Sequence, residues 1–228
     1  MVPWIERRLI AELPELATDL EKTLSRGCHA LDISLEPRQQ EQLLTYLQLM
    51  QKWNRAYNLT AVREPAAMVT RHLLDSLAVL PYLPEGRCLD VGTGAGLPGI
   101  PLAILFPERE FHLLDSNGKK TRFLFAVKTS LGLANVTIHN TRVEAFTPQA
   151  LFDVILSRAF ASLADMVAGT RHLLAPGGCF LAMKGAYPPD ELEAVARECV
   201  LKGIYPLAVP GLNEQRHLVE LALCQPTQ

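Results

Sequence analysis

Three glycines at alternate positions, Gly92, Gly94 and Gly96, stand in the segment LDVGTGAGLPGIPLAI (residues 89–104). They follow a short apolar run directly, and Asp90 lies two residues ahead of the first of them. Backbone without a Cβ can come close to a bound molecule and can take positive φ at little cost. A fourth glycine makes the segment satisfy two patterns at once. Gly92-x-Gly94-x-Gly96 is what methyltransferases carry after their first strand, whereas Gly94-x-Gly96-x-x-Gly99 is the fingerprint of dinucleotide-binding oxidoreductases.

Three features favour the methyl donor S-adenosylmethionine over a dinucleotide. A carboxylate at Asp90 repels a pyrophosphate, yet it can receive the cofactor's amino-acid end, directly or through water. Pro98 sits where a dinucleotide fold presents free N–H groups to phosphate, and proline has none. Asp115 ends the next apolar run, where a carboxylate can accept from ribose hydroxyls, a role common to both cofactors. Gly92, Gly94, Gly96 and Asp115 are therefore expected to bind the cofactor.

The acceptor is narrowed by exclusion. Methylation of exocyclic base amines usually goes with an Asn/Asp-Pro-Pro-aromatic motif after the fourth strand. Here that place reads Leu156-Ser157-Arg158-Ala159-Phe160, and Tyr187-Pro188-Pro189 has the wrong order and place. Carbon-5 pyrimidine chemistry needs a cysteine nucleophile, and only Cys179, at a strand start, is even a candidate. Direct displacement onto a nucleophile that loses no proton remains. Guanine N7 fits that description, although these residues alone do not select it. Catalysis would then be positioning, and no catalytic acid or base is expected.

These residues need strand ends to hold them. From residue 87 onward apolar runs at 88–91, 111–115, 136–139, 154–157 and 180–183 alternate with helical stretches such as 119–131 and 163–174. Such alternation predicts parallel strands joined by helical crossovers. Runs at 204–209 and 217–224 have only a short loop between them, so they form a hairpin whose last strand is antiparallel. The expected fold is the class I methyltransferase (Rossmann-like) α/β fold, a seven-stranded mostly parallel sheet occupying 86–228. Residues 1–85 read as an N-terminal helical extension. Leu43, Leu44, Leu47, Met50 and Trp53 recur at helical spacing over 37–54, and Pro65 opens a helix through Met68, Leu73, Leu77 and Leu80. Pro81, Pro84 and Gly86 close the extension.

Composition sets the outer bounds. A chain of 228 residues with net charge −2 is no polycation, so nucleic-acid contact must come from a local patch. Five scattered cysteines without a Cys-x-x-Cys pair speak against zinc and a disulfide framework and fit the cytoplasm. The opening MVPWIERRLIAELPEL carries acidic residues where a signal peptide has its apolar centre. The longest uncharged run, 91–106, is too short for a bilayer span, so no membrane segment is expected.

The chain resembles the ribosomal RNA small subunit methyltransferase G family, also called glucose-inhibited division protein B, nearly end to end. The resemblance is carried by Trp53-Asn54 with Asn58-Leu59-Thr60, by HLLDSL (72–77), by the glycine segment and by LLDSNGKKTRFL (113–124). It continues through Arg142-Val143-Glu144, SRAFAS (157–162), Lys184-Gly185 and QRHLV (215–219). Gln215 stands where glutamate is common in the family, which removes a small ion pair from the pattern. The resemblance implies a methyltransferase acting on N7 of one guanine in 16S rRNA, in a loop near the decoding site. It places Gly92 and Leu97 along the cofactor, Val143 and Glu144 at its adenine, and Arg158 close to cofactor and base.

Cations that could meet RNA are Lys184 and Arg216, flanking the hairpin strands, and Lys119 in the basic run with Lys120, Arg122 and Lys128. Arg158 can donate to guanine O6 or hold a phosphate. His72 and Asp75, one helical turn apart, read as structural or docking residues rather than a catalytic dyad. Trp53 and Tyr57 could stack on a base, with Trp53 a core residue first. No metal site and no DNA partner are expected. A nicotinamide-dependent oxidoreductase and an assembly factor with a vestigial pocket are the competing classes.

Overall fold

The structure, a computed structural model, describes residues 18–158, 160 and 162–224. The N-terminal stretch read above as no signal peptide lies outside them, as do Ala159 and Ala161 of the SRAFAS run.

Among the described residues the sheet is preceded by α1 over 18–30, α2 at Pro37–Tyr57, α3 over 65–77 and a 3₁₀ turn at Leu80–Tyr82. Strands and helices then alternate as β1 (Cys88–Val91), α4 (Gly99–Leu105), β2 (Phe111–Leu114), α5 (Gly118–Leu131), β3 (Val136–His139) and β4 (Phe152–Arg158). The chain continues through α6 (Leu163–Thr170), β5 (Leu174–Lys184), α7 (Pro189–Val195), β6 (Cys199–Pro206) and β7 (His217–Leu223). The sheet runs β3-β2-β1-β4-β5-β7-β6, with β1 to β5 parallel and β7 antiparallel to both β5 and β6. This is the expected seven-stranded sheet with its terminal hairpin.

Both faces of the sheet are covered, as parallel sheets require. One core joins Cys88, Phe111, Val154 and Leu156 of the sheet to Leu24, Leu43, Leu47 and Met50 of the first helices. The other joins Leu89, Val91, Ile155 and Phe180 to Leu163, Met166 and Val195. Helix α4 lies wholly within the first core, with every residue from Gly99 to Ile104 buried. That burial accounts for the apolar residues surrounding the glycines. Helix α2 also braces the glycine loop, because the Tyr46 hydroxyl donates to the Ala95 carbonyl at 2.6 Å.

Several boundaries differ from the expected ones for local reasons. Helix α2 extends three residues past Asn54 and stops where Asn58 adopts left-handed φ of 49°. Strand β5 begins at Leu174, ahead of Pro176, Gly177 and Gly178, with its register against β4 shifting between Phe152 and Val154. Strand β6 starts at Cys199 and carries a register shift between Leu201 and Gly203, which breaks the alternation by which a strand is recognised in sequence. Helix α6 ends at Thr170, and a 3₁₀ turn at Arg171–Leu173 completes the expected helix.

Candidate functional site

The strand order reverses between β1 and β4, the place where open α/β sheets bind ligands beyond their carboxyl ends. Two cavities open there, on either side of the end of β4. The first, about 280 Å³, is lined by Val91 and Gly92 after β1, by Leu114, Asp115 and Ser116 after β2, and by Thr141 to Glu144 after β3. Phe160, just beyond β4, completes it.

The glycine loop divides its labour. Gly92 is exposed with φ of 65°, and a Cβ there would meet only the Phe160 ring, at 3.8 Å, so its surface is free for a ligand. Gly94 spends its N–H on Asp115 Oδ2, at 2.9 Å. Gly96 is turned into the core, where a Cβ would stand 2.5 Å from Ile100 Cγ1. Leu97 is buried behind the loop, 3% exposed. Of these expected cofactor residues, only Gly92 lines the cavity.

Asp115 lines it as well. Its Oδ1 accepts from the Asn117 N–H at 2.8 Å, and Asn140 Nδ2 holds its main-chain carbonyl at 3.1 Å. A carboxylate takes up to about four hydrogen bonds, so acceptor capacity remains after these anchors. Val143 and Glu144 form a 3₁₀ turn in the opposite wall, Val143 half-buried and Glu144 exposed.

Asp90 braces the loop with one carboxylate oxygen, while the other, Oδ1, has no hydrogen-bond partner among the described residues. The residue is fully buried, and its Oδ2 accepts from the Thr93 hydroxyl at 2.6 Å and the Gly99 N–H at 2.8 Å. The carboxylate thereby ties the loop to the start of α4, and the cavity wall does not include it. Burial raises its pKa to about 6, against the hydrogen bonds from Thr93 and Gly99. The reason lies in strand alternation: Asp90 shares the face of Cys88, which α4 covers.

The same contacts argue against a dinucleotide. At the α4 N-terminus the Gly99 N–H goes to Asp90, the Ile100 N–H to Gly96 and the Leu102 N–H to Pro98, and Pro101 has none. No donor is left in that first turn for a pyrophosphate.

The second cavity, about 430 Å³, is lined by Val62, Arg71, His72, Asp75, Arg158, Met183, Lys184, Gly185 and Arg216. Four cations, from α3, β4, β5 and the residue before β7, thus line one cavity. They are held by carboxylates. Arg158 and Arg216 both donate to Asp75, Arg216 and Arg71 to Glu214, and Lys184 to Glu191 at 2.7 Å. His72 is 5% exposed and pairs through Nε2 with the Thr60 hydroxyl at 2.9 Å. Burial, aided by the positive Arg158, lowers its pKa to about 4.

Arg158, Lys184 and Arg216 are therefore brought together, as is the His72–Asp75 pair that the sequence left as structural or docking. Lys119 stands apart, exposed in the first turn of α5, while Lys120 approaches Asp115 Oδ2 at 3.7 Å. Trp53 is half-buried between Tyr57 and Phe123, with ring centroids 5.3 and 5.8 Å away. Sequence reasoning missed that Phe160 and Thr141 line the first cavity; their only signal is position just past a strand end. It also missed that Asp75 is the hub of the second cavity.

Among the described residues no group of three His, Cys, Asp or Glu side chains could hold a metal ion, and no helix is long and apolar enough to cross a membrane. The thiols of Cys28, Cys88, Cys179 and Cys199 are pushed up to between about 11 and about 12, chiefly by burial, and none lines either cavity.

A family model described as rRNA small subunit methyltransferase G matches residues 39–219. The chain is 55% identical over 212 residues to the ribosomal RNA small subunit methyltransferase G of Cellvibrio japonicus, covering 91% of this chain and 97% of that one. It is equally similar, 55% over 199 residues, to the protein of that name from Pseudomonas aeruginosa strain LESB58, covering 87% and 93%. Among solved structures it is similar to the glycopeptide N-methyltransferase MtfA complexed with S-adenosyl-L-methionine, with a TM-score of 0.57 at 15% identity over 68% of this chain and 88% of that chain. The ribosomal protein L11 methylase of Lactobacillus delbrueckii subsp. bulgaricus gives 0.52 at 16% identity, over 67% and 77%. The chain belongs to the rRNA small subunit methyltransferase G family, and its fold is that of the class I S-adenosylmethionine-dependent methyltransferases.

Proposed function

We propose that this protein transfers a methyl group from S-adenosylmethionine to N7 of one guanine in 16S rRNA, in a loop near the decoding site, by direct displacement. The observation that carries the reading is the pair of cavities flanking the end of β4. One has a bare glycine and a ribose-type carboxylate, and the other has a wall of cations.

The residues of the first cavity fit the cofactor. Gly92 leaves its backbone uncovered, Asp115 retains acceptor capacity for ribose hydroxyls, and Val143 and Glu144 supply an apolar contact and an acceptor for an adenine amino group. When bound there, S-adenosylmethionine supplies an electrophilic methyl on a sulfonium centre. Gly94, Gly96 and Leu97 act behind that surface, Gly94 by fixing Asp115 and the other two by packing the loop.

The second cavity supports a base of RNA as the acceptor. Guanine N7 attacks through an in-plane lone pair and loses no proton. The polar groups around the cavity match that economy: His72, held neutral, is a poor proton acceptor, and both oxygens of Asp75 are engaged by arginines. With every cavity thiol absent, no covalent intermediate is called for. What the residues contribute is orientation, with donor carbon and acceptor held about 3–3.5 Å apart and in line. Arg158, at the end of β4, lines the second cavity with Lys184 and Arg216, which offer charge to the RNA backbone. A net charge of −2 favours recognition of a partly or fully assembled small subunit, in the cytoplasm, over naked RNA.

Chemical cleavage at N7-methylguanosine in 16S rRNA, from cells with and without the gene, tests the reading. Cleavage at one guanine should vanish on deletion and return with the wild-type gene but not with Gly92→Asp. An unchanged pattern, or restoration by Gly92→Asp, overturns it. Methyl incorporation across a salt series, into free rRNA and into subunits, decides the substrate's state.

A further inference from the structure

Asp75 is 2% exposed in the wall of the second cavity, although methyl transfer to N7 asks for no carboxylate there. Its oxygens are divided between two guanidiniums: Oδ2 accepts from Arg158 Nη1 and Oδ1 from Arg216 Nε, each at 3.1 Å. Helix α3 is wound to make a second anchor beside it. Between Val69 and Leu74 it is a π-helix, and the Asp75 N–H donates to the carbonyls of Thr70 and His72. An α-helix would send that N–H to the Arg71 carbonyl. The carbonyl accepts instead from Arg158 Nη1, at 3.0 Å. Single π turns of this kind occur frequently at functional sites.

Nη1 of Arg158 therefore has both hydrogens spent on α3, which fixes the plane of the guanidinium. Its Nε and Nη2 have no partner among the described residues. What remains is a two-donor edge, a fork suited to oxygen acceptors. Arg216 is aligned by the same carboxylate, and without that negative charge two adjacent cations would repel each other across the cavity wall.

We propose that Asp75 is a positioning residue for the RNA substrate. With the Arg71 carbonyl that the π turn releases, it holds Arg158 so that the Nε–Nη2 edge meets an oxygen acceptor in the second cavity, either guanine O6 or a backbone phosphate. The inference rests on the reading of that cavity as the base site.

Asp75→Asn keeps the shape and removes the charge. Displacing a positioning group by about 1 Å costs on the order of 100-fold, so kcat/KM on small subunits should fall by about that factor. The cofactor Kd, by calorimetry, should stay within about twofold, because the first cavity shares no residue with the clamp. Arg158→Lys should lose as much, and the double variant no more than either single one. Subunits carrying 2-aminopurine, which lacks O6, at the methylated position separate the two acceptors: the gap between wild type and Asp75→Asn closes for O6 and persists for phosphate. Full activity of Asp75→Asn, or loss of cofactor affinity and Tm in parallel with activity, overturns the proposal.

Arginine side-chain NMR reads the clamp without any activity. Rotation of the Arg158 guanidinium about Nε–Cζ should be slow in the wild type and fast in Asp75→Asn, and equal rates overturn the clamp. If wild-type protein methylates no rRNA while this contrast holds, the proposed function has failed and the clamp has not.

Discussion

The two cavities beside β4 are built by opposite means. The first is shaped by main chain: three successive turns after β1, β2 and β3, with Asp115 as its one deeply buried carboxylate. The second is shaped by side chains that reach across the fold, and nearly every charge in it is already paired within the protein. A backbone-lined pocket tolerates many changes of side chain but no change of backbone freedom. A pocket of paired charges tolerates small backbone shifts but responds sharply when one charge is removed.

The contrast is broken most severely at the glycines. Gly92→Asp places a side chain into the first cavity at φ of 65°, where a Cβ costs about 1–2 kcal/mol. Cofactor affinity should fall by about 100-fold or more, close to 3 kcal/mol, and calorimetry measures it directly. Gly96→Ala should show the reverse balance. Its Cβ would meet Ile100 Cγ1 at 2.5 Å and Leu124 Cδ2 at 2.8 Å at φ of 91°, so stability drops by about 2 kcal/mol on denaturant titration. Cofactor affinity in the protein that remains folded should change little. Equal effects of the two substitutions on affinity would erase the division of labour within the loop.

The second cavity has its own signature in pH. His72 is neutral because it is buried beside Arg158 and Arg71, which lowers its pKa to about 4; its folded value thus lies below the unfolded one. The folded state then binds fewer protons than the unfolded state between pH 4 and 6.5. The stabilisation is present above 6.5 and lost as pH falls through that window, up to about 3 kcal/mol. His112, lowered to about 4 by burial and by His139, adds a similar slope, and Asp90, raised to about 6 by burial, opposes both. His72→Gln, which can still meet Thr60, should flatten the fall in Tm between pH 6.5 and 4 without abolishing it. An unchanged slope would mean that His72 is charged in the folded protein.

How much of this was legible in the sequence follows from how each cavity is built. Gly92 and Asp115 lie just past the ends of β1 and β2, so spacing from each apolar run finds them, whereas Val143 and Glu144, beyond β3, came only with the family resemblance. Alternation of glycines could not separate Gly92, which faces the first cavity, from Gly96, which faces Ile100, because both have positive φ. Asp90 was hard to place for a related reason: a carboxylate beside a glycine loop can serve the ligand or the loop, and only the structure shows that its Oδ2 is tied to Thr93 and Gly99. The clamp was out of reach. Asp75 stands 83 residues from Arg158 and 141 from Arg216, and no local pattern links positions so far apart. The π turn that frees the Arg71 carbonyl coincides with the five-residue step from Met68 to Leu73, too slight a departure from the steps of three and four to be read as one.

A smaller effect belongs to the first cavity. Asp115→Asn leaves a carbonyl oxygen to accept one of the N–H groups of Gly94 and Asn117, while its amide nitrogen can accept nothing. Losing a charged acceptor for a ribose hydroxyl costs about 1.5 kcal/mol, so cofactor affinity should weaken by about tenfold. No loss would remove Asp115 from the proposed ribose site.

The smallest effect sharpens the comparison most. Glu214 and Asp75 both bind Arg216, and each binds a second arginine, Arg71 and Arg158 respectively. They differ in solvent: the Glu214 side chain is 48% exposed and that of Asp75 3%. Water and salt screen the outer pair, whereas the inner carboxylate has no solvent to replace it. Glu214→Gln should therefore leave Tm and kcat/KM close to wild type, with any residual difference vanishing as ionic strength rises. Asp75→Asn should keep its deficit at every salt concentration. The two substitutions remove the same charge from the same network, so a shared outcome would show that the ion pairs act by number. A divided outcome shows that burial makes one of them a positioning contact.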